Sequence, residues 1–204
     1  MSPRRVIGLT GNIASGKSAV SALLAEHGAY GVDADAVAHE VLQPGTEETT
    51  AVAARFGPGV LAPDGAVDRP ALGRIAFADR DAMADLEAIV HPGTRRRILD
   101  RIAASTEEVA VIEAIKLIEG PLVDHVDAVW VVTAPRDVRI ARLVAERGMT
   151  REQAAQRVDA QNPEEEKVRR ADIVIRNDGS LDDLRRQVDA AWAALDRQTA
   201  DPGL

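Results

Sequence analysis

Short, almost unbroken apolar runs alternate along this chain with stretches in which apolar residues recur at helical spacing. Val6-Ile7-Gly8-Leu9 stops at Thr10-Gly11 and has the continuous apolar character of a parallel strand covered on both faces. Val20, Leu23 and Leu24 then follow a helical period up to Gly28, where a C-terminal glycine cap belongs. Ala29-Tyr30-Gly31-Val32 reads as a second strand stopping at Asp33-Ala34-Asp35, and a helix through Val37, Val41 and Leu42 to Pro44-Gly45 follows the βαβ unit. Residues 45–105 carry only helical segments, around 51–56, 72–77, 83–89 and 94–102, punctuated by Gly57-Pro58-Gly59 and Pro63-Asp64-Gly65. Strand character returns at Val109-Ala110-Val111-Ile112, Val129-Trp130-Val131-Val132 and Ile173-Val174-Ile175. Pro135 opens a helix through Ala145, Thr150 and Gln153 form a capping-box start for the next, and Leu181, Leu184, Val188, Trp192 and Leu195 line a last amphipathic helix. The pattern predicts one α/β domain over residues 1–204, a doubly wound parallel sheet with a helical insertion at about 45–105 and a small helical lid at about 137–167.

Composition narrows the chemistry. Of 204 residues 46% are hydrophobic and 28% charged, ordinary for a globular protein, and no apolar run approaches the ~18 residues that span a bilayer. The start Met1-Ser2-Pro3-Arg4-Arg5 has no apolar signal core, so a cytoplasmic protein is expected, with no membrane partner. There is no cysteine and there are four scattered histidines, which removes thiol catalysis and leaves oxygen ligands for any metal. A formal charge of −8 argues against a nucleic-acid partner. Only Lys17, Lys116 and Lys167 are lysines, so nearly all positive charge is arginine. No feature demands an oligomer, and a monomer is the expectation.

Gly11-Asn12-Ile13-Ala14-Ser15-Gly16-Lys17-Ser18 is a complete G-x-x-x-x-G-K-S loop between a predicted strand and a predicted helix. Its chance occurrence in a chain of this composition is roughly one in a thousand. Glycines let backbone N–H groups close around phosphate oxygens, and the following helix aims its positive end at them. Lys17 is then placed for the β- and γ-phosphates of a nucleoside triphosphate, ATP in this reading, and the Ser18 hydroxyl for Mg²⁺.

The acceptor must be read elsewhere. Asp33 ends the second strand, at the edge of an open parallel sheet where ligands bind, and is placed either as general base toward an acceptor hydroxyl or as a helix cap. Asp35 suits a metal-bound water or a cap. Glu113, closing the strand from Val109, suits the Mg²⁺ hydration shell or is a plain strand-end carboxylate. Arg139 and Arg142 share a helix side, with Arg147 near the exit into Gly148, so a mobile lid able to bring Arg142 and Arg147 over a migrating phosphoryl group competes with a solvated charged face. His91 before Pro92 is a candidate substrate contact, or simply a packed or exposed side chain. Trp130 and Trp192 suit the core better than base stacking.

Taken in order, these motifs resemble the dephospho-coenzyme A kinase family. The likeness is carried by Ile7 through Ser18, Asp33-Ala34-Asp35 with Ala38-His39-Glu40-Val41, Asp64-Gly65 with Asp68-Arg69, Leu86-Glu87 with His91-Pro92, Arg142, Arg147, Gln161, and Ala171-Asp172-Ile173-Val174-Ile175 with Asn177-Asp178-Gly179. The resemblance implies transfer of phosphate from ATP, with Mg²⁺, to the ribose 3′-hydroxyl of dephospho-coenzyme A. It implies nucleotide contacts from residues 11–18 and Asn177, and acceptor contacts from Asp33 and His91. Asn12 and Ala14 replace glycines usual in the family's loop. In Glu113-Ala114-Ile115-Lys116-Leu117-Ile118-Glu119 a glutamate stands for the usual aspartate, and Lys116 takes an apolar position. The loop and lid alone also suit a kinase for another small acceptor, such as a nucleoside monophosphate, or a nucleotide-binding module without transfer.

Overall fold

The computed structural model describes residues 5–200, with side chains to Leu195, so Met1–Arg4 at the opening lie outside the described residues. Two compact units emerge: one takes the chain up to Val32 and again from Ser105 onward, the other is Asp33–Ala104.

The first unit is built on a five-stranded parallel sheet. β1 (Arg5–Thr10), β2 (Tyr30–Asp33), β3 (Val109–Glu113), β4 (Ala128–Thr133) and β5 (Ile173–Arg176) lie in the order β2-β3-β1-β4-β5. This is the doubly wound arrangement expected. β1 is the middle strand, in parallel register with β3 (Leu9 beside Glu113) and β4 (Leu9 beside Trp130), which is why its run is apolar on both faces. Its Ile7 and Leu9 are fully buried in one cluster with Trp130, Val111 and Ile175. A Cβ on Gly8 would lie 2.5 Å from Leu117, so glycine there lets the segment leaving β3 cross close over the central strand.

α1 (Lys17–Glu26) and α9 (Leu181–Ala200) add Val20, Leu23, Leu24, Leu184, Val188 and Leu195 to that cluster. At ~1.5–3 kcal/mol per fully buried large aliphatic side chain, these helices are anchored by burial far more than by propensity. Trp130 is wholly buried, and the Trp192 ring stacks on His27 with centroids 5.1 Å apart, so both tryptophans serve packing. α6 (Arg136–Arg147), α7 (Arg151–Asp159) and α8 (Glu164–Val168) connect β4 to β5. Thr150 caps α7 through the predicted capping box, and Gly148 ends α6 at φ 61°.

The second unit is helical: α2 (Ala34–Glu40), α3 (Glu47–Phe56), α4 (Arg69–Ala76) and α5 (Arg80–Ala104), with a single antiparallel bridge between Leu61 and Val67. Val52, Val60, Val67 and Leu72 form its small core, and Arg55 pairs with Asp85 at 2.7 Å. The sequence broke α5 at His91-Pro92, whereas the structure runs one helix through it. Proline removes one intrahelical bond, but Val90, Gly93, Thr94 and Ile98 are buried on either side, so packing outweighs the local penalty. Thr94 also donates its hydroxyl to the Val90 carbonyl at 2.9 Å. Among the described residues no helix is long and apolar enough to cross a membrane.

Candidate active site

The phosphate loop leaves the end of the central strand and enters α1 at Gly16, whose φ of 97° is left-handed. A Cβ there would lie 1.9 Å from Asn177 Nδ2, so backbone shape and close approach both require glycine. No side chain caps α1, which leaves its N-terminal end open for phosphate oxygens. Ala14 holds φ 56°, a conformation costing a residue with a Cβ roughly 1–2 kcal/mol.

What enforces the shape is a set of partners far along the chain. Asn177 Nδ2 donates to the Ser15 carbonyl at 2.9 Å. Arg142 Nη1 donates to the Ala14 and Ser15 carbonyls, each at 3.1 Å, and its Nη2 to the Asn177 carbonyl at 3.1 Å. The structure therefore gives Arg142 a bracing task that the sequence reading did not contain. From the segment after α7, Gln161 Oε1 accepts from the Ile13 N–H at 2.7 Å, and the Asn162 carbonyl accepts from Asn12 Nδ2 at 3.2 Å. Ile13 and Ala14 also pack against the apolar seam of α6 and α7, made by Ile140, Leu143, Ala154 and Val158. The loop and helices α6 and α7 thus share one small core.

Lys17 is buried and donates to the Gly11 carbonyl at 3.1 Å, which lays its ammonium across the mouth of the loop. Ser18 is exposed at the start of α1. Glu113 ends β3 in register with Leu9, two residues before the loop begins. Among the described residues no group of three or more His, Asp or Glu side chains forms a ready-made metal cluster. The chemistry of the remaining donors suits Mg²⁺, a hydroxyl and one carboxylate, since that ion keeps several waters and takes much of its coordination from nucleotide phosphates.

Beside the loop lies a cavity of about 530 Å³ whose walls include Asn12, Arg136, Arg139, Asp159, Gln161 and Glu164. Asn12 Oδ1, Arg139 Nε and Nη1, and Glu164 Oε1 are buried there without a hydrogen-bond partner among the described residues. Burial pushes the Glu164 carboxyl above its usual range, against the pull of Arg139. Asp159 is held below its usual range by its hydrogen bonds from Arg136, at 2.7 Å to each oxygen. Arg139 is inside this wall, not on a solvated face.

Arg147 is exposed at the end of α6 and makes no hydrogen bond or ion pair among the described residues. Lys116 is exposed as well, while Leu117 and Ile118 beside it are buried, so the charged departure falls on the solvent side.

Asp33 and His91 belong to the helical unit. Asp33 is the N-cap of α2: its Oδ1 accepts from the N–H of Asp35 at 2.9 Å and of Ala36 at 3.1 Å. Both capping bonds use the same oxygen, so the cap orients the carboxylate without occupying Oδ2. Asp35, for which capping had been an option, instead lies in the first turn of the helix that Asp33 caps. His91 is exposed on α5. The contacts of Asn162 and Lys167 are not legible in the sequence because their partners are distant in the chain, whereas Arg139 is legible there only as sharing a helix side with Arg142. Gln161 was visible only through the family likeness.

A sequence model of the dephospho-CoA kinase family matches residues 5–183. A dephospho-CoA kinase of Symbiobacterium thermophilum is 48% identical over 193 residues, covering 93% of this chain and 81% of that protein. Among solved structures, a Thermus thermophilus protein superposes with a TM-score of 0.83 at 36% identity, over 96% of this chain and 99% of its own. Dephospho-CoA kinase from Campylobacter jejuni superposes at 0.61 with 26% identity, over 94% of this chain and 97% of its own.

Proposed function

The chain belongs to the dephospho-CoA kinase family, and from that premise we propose that it transfers the γ-phosphoryl group of ATP to the ribose 3′-hydroxyl of dephospho-coenzyme A, releasing coenzyme A and ADP. The observation that carries the proposal is the phosphate loop held in a single backbone shape by Asn177, Arg142 and Gln161, with Lys17 inside it. Phosphoryl transfer asks little covalent chemistry of a protein; positioning and charge neutralisation supply the rate.

In this scheme the loop amides and the open end of α1 bind the triphosphate, and Lys17 turns from the Gly11 carbonyl to the β- and γ-phosphates. Mg²⁺, held by Ser18 and through water by Glu113, would neutralise charge on the phosphates. Asp33, fixed by its cap through Oδ1, uses Oδ2 to accept or orient the proton of the acceptor hydroxyl. Arg147, exposed at the hinge of α6 and α7, reaches the migrating group when the lid closes, and Arg142 keeps the loop beneath it in shape. His91 lies on the helical unit as an acceptor contact, that unit serves as the substrate-binding insertion, and α6–α8 serve as the lid. A cytoplasmic, monomeric enzyme with no nucleic-acid or membrane partner completes the reading.

Purified protein incubated with dephospho-coenzyme A, ATP and Mg²⁺ should yield a product heavier by one phosphate, by mass spectrometry. Phosphorylation of nucleoside monophosphates in its place, in a panel run alongside, would move the acceptor assignment to another small-molecule kinase.

A further inference from the structure

Lys167, the last basic residue of α8, is 4% exposed. Placing an ammonium in the interior costs several kcal/mol unless it is paired and hydrogen-bonded, so its surroundings carry information. Its Nζ donates to the Ile115 carbonyl at 2.5 Å and lies 3.0 Å from Glu119 Oε1. The same Ile115 carbonyl accepts from Thr10 Oγ1 at 3.1 Å, and Thr10 is the fully buried residue immediately before the phosphate loop. Three residues further along α8 and its exit, Arg170 Nη1 donates to the Ile118 carbonyl at 2.9 Å. At its other end the segment is tied to the central strand by the Ala114 N–H donating to the Leu9 carbonyl at 3.0 Å.

One ammonium therefore joins the end of β1, the segment leaving β3 directly after Glu113, and the helix at the base of the lid. We propose that Lys167 is a positioning residue for phosphoryl transfer: through Ile115 and Glu119 it sets the placement of residues 113–119 relative to the phosphate loop, and it carries the position of α8 to that segment. This rests on the kinase reading above. The segment has no regular secondary structure between β3 and the short turn at Pro121–His125, so side-chain anchors must do what a hydrogen-bond ladder does inside the sheet. A reaction whose rate tolerates little misplacement of the reacting groups gives such an anchor leverage, since ~1 Å of error costs ~10²-fold.

The test compares Lys167→Met, Lys167→Arg and Glu119→Gln with the parent chain. Lys167→Met should lower kcat by about 10- to 100-fold while the Kd for a non-hydrolysable ATP analogue stays within about threefold, and Lys167→Arg should recover part of the loss. Amide hydrogen exchange across residues 114–119 should accelerate in Lys167→Met and remain unchanged in α1 and α9, whatever the activity. Should Lys167→Met fail to fold, Glu119→Gln keeps the shape and removes the charge, and should show the same pattern at about 3- to 10-fold. A folded Lys167→Met or Glu119→Gln with parental kcat, or with parental exchange in residues 114–119, overturns the proposal. If the parent chain transfers nothing to dephospho-coenzyme A, the activity reading fails, while the exchange comparison still decides whether Lys167 holds the segment.

Discussion

Around the phosphate loop, the bonds that fix the backbone arrive from far away: Arg142 lies 128 positions from Ala14, Gln161 lies 148 from Ile13, and Asn177 lies 162 from Ser15. In the helical unit, Asp33 is held by N–H groups two and three positions on. One region is assembled only when the sheet and the α6–α7 segment have folded; the other is set by a single turn of chain. The difference predicts opposite responses to mutation. Substitutions around the loop should disturb stability and nucleotide affinity together, whereas Asp33 can lose its charge with its local structure intact.

Lys17→Ala breaks the loop side most severely, with turnover expected to fall by about 10⁴ or more in a steady-state assay. Retention of most activity there would mean that the loop does not serve transfer. Asp33 sharpens the local side. Asn caps helices as well as Asp does, so Asp33→Asn should lower kcat by roughly 10² to 10⁴ with Tm and ATP affinity preserved, while Asp33→Ala adds a stability loss of about 1 kcal/mol. Parental turnover in Asp33→Asn would leave this residue as a cap only.

Arg142→Ala removes three donors from backbone carbonyls, and the expected cost is about 2–3 kcal/mol in denaturant unfolding with about tenfold weaker ATP binding. If stability falls and ATP affinity does not, the brace does not support the nucleotide site. The smallest effect is pH-linked and lies in the cavity wall. Glu164 has a folded-state pKa above its unfolded value because of burial, so the folded protein binds that proton more tightly and stability falls as pH rises through the interval above about 4.5. Glu164→Gln should therefore stabilise the protein at neutral pH, and the gain should vanish below that interval. A gain independent of pH would show that charge burial is not its cause.

Much of the site's nucleotide half was legible early because a phosphate loop is a local object. Glycine at 16, lysine at 17 and an apolar strand ahead of them specify a backbone path and a cation within eight residues. The capping box at Thr150 and Gln153 was legible for the same reason. Arg142 was visible as an arginine on a lid helix, but nothing in its neighbours announces the carbonyls of Ala14 and Asn177 as its partners. At Pro92 the local rule gave the wrong answer, since helix breaking is a preference of the isolated segment and burial on both sides of the proline reversed it.

By itself, then, the order of residues determined the five strands, the phosphate loop between the first strand and helix, and the acidic ends of β2 and β3, because each depends on short-range sterics and on an apolar period of a few residues. Only the tertiary structure decided that Arg142, Gln161 and Asn177 hold that loop, that Arg139 turns inward, and that Lys167 joins Thr10's partner carbonyl to Glu119. Buried polar groups must find partners wherever the fold brings them, and that choice is made by the packing of elements that lie from a few tens to more than a hundred residues apart.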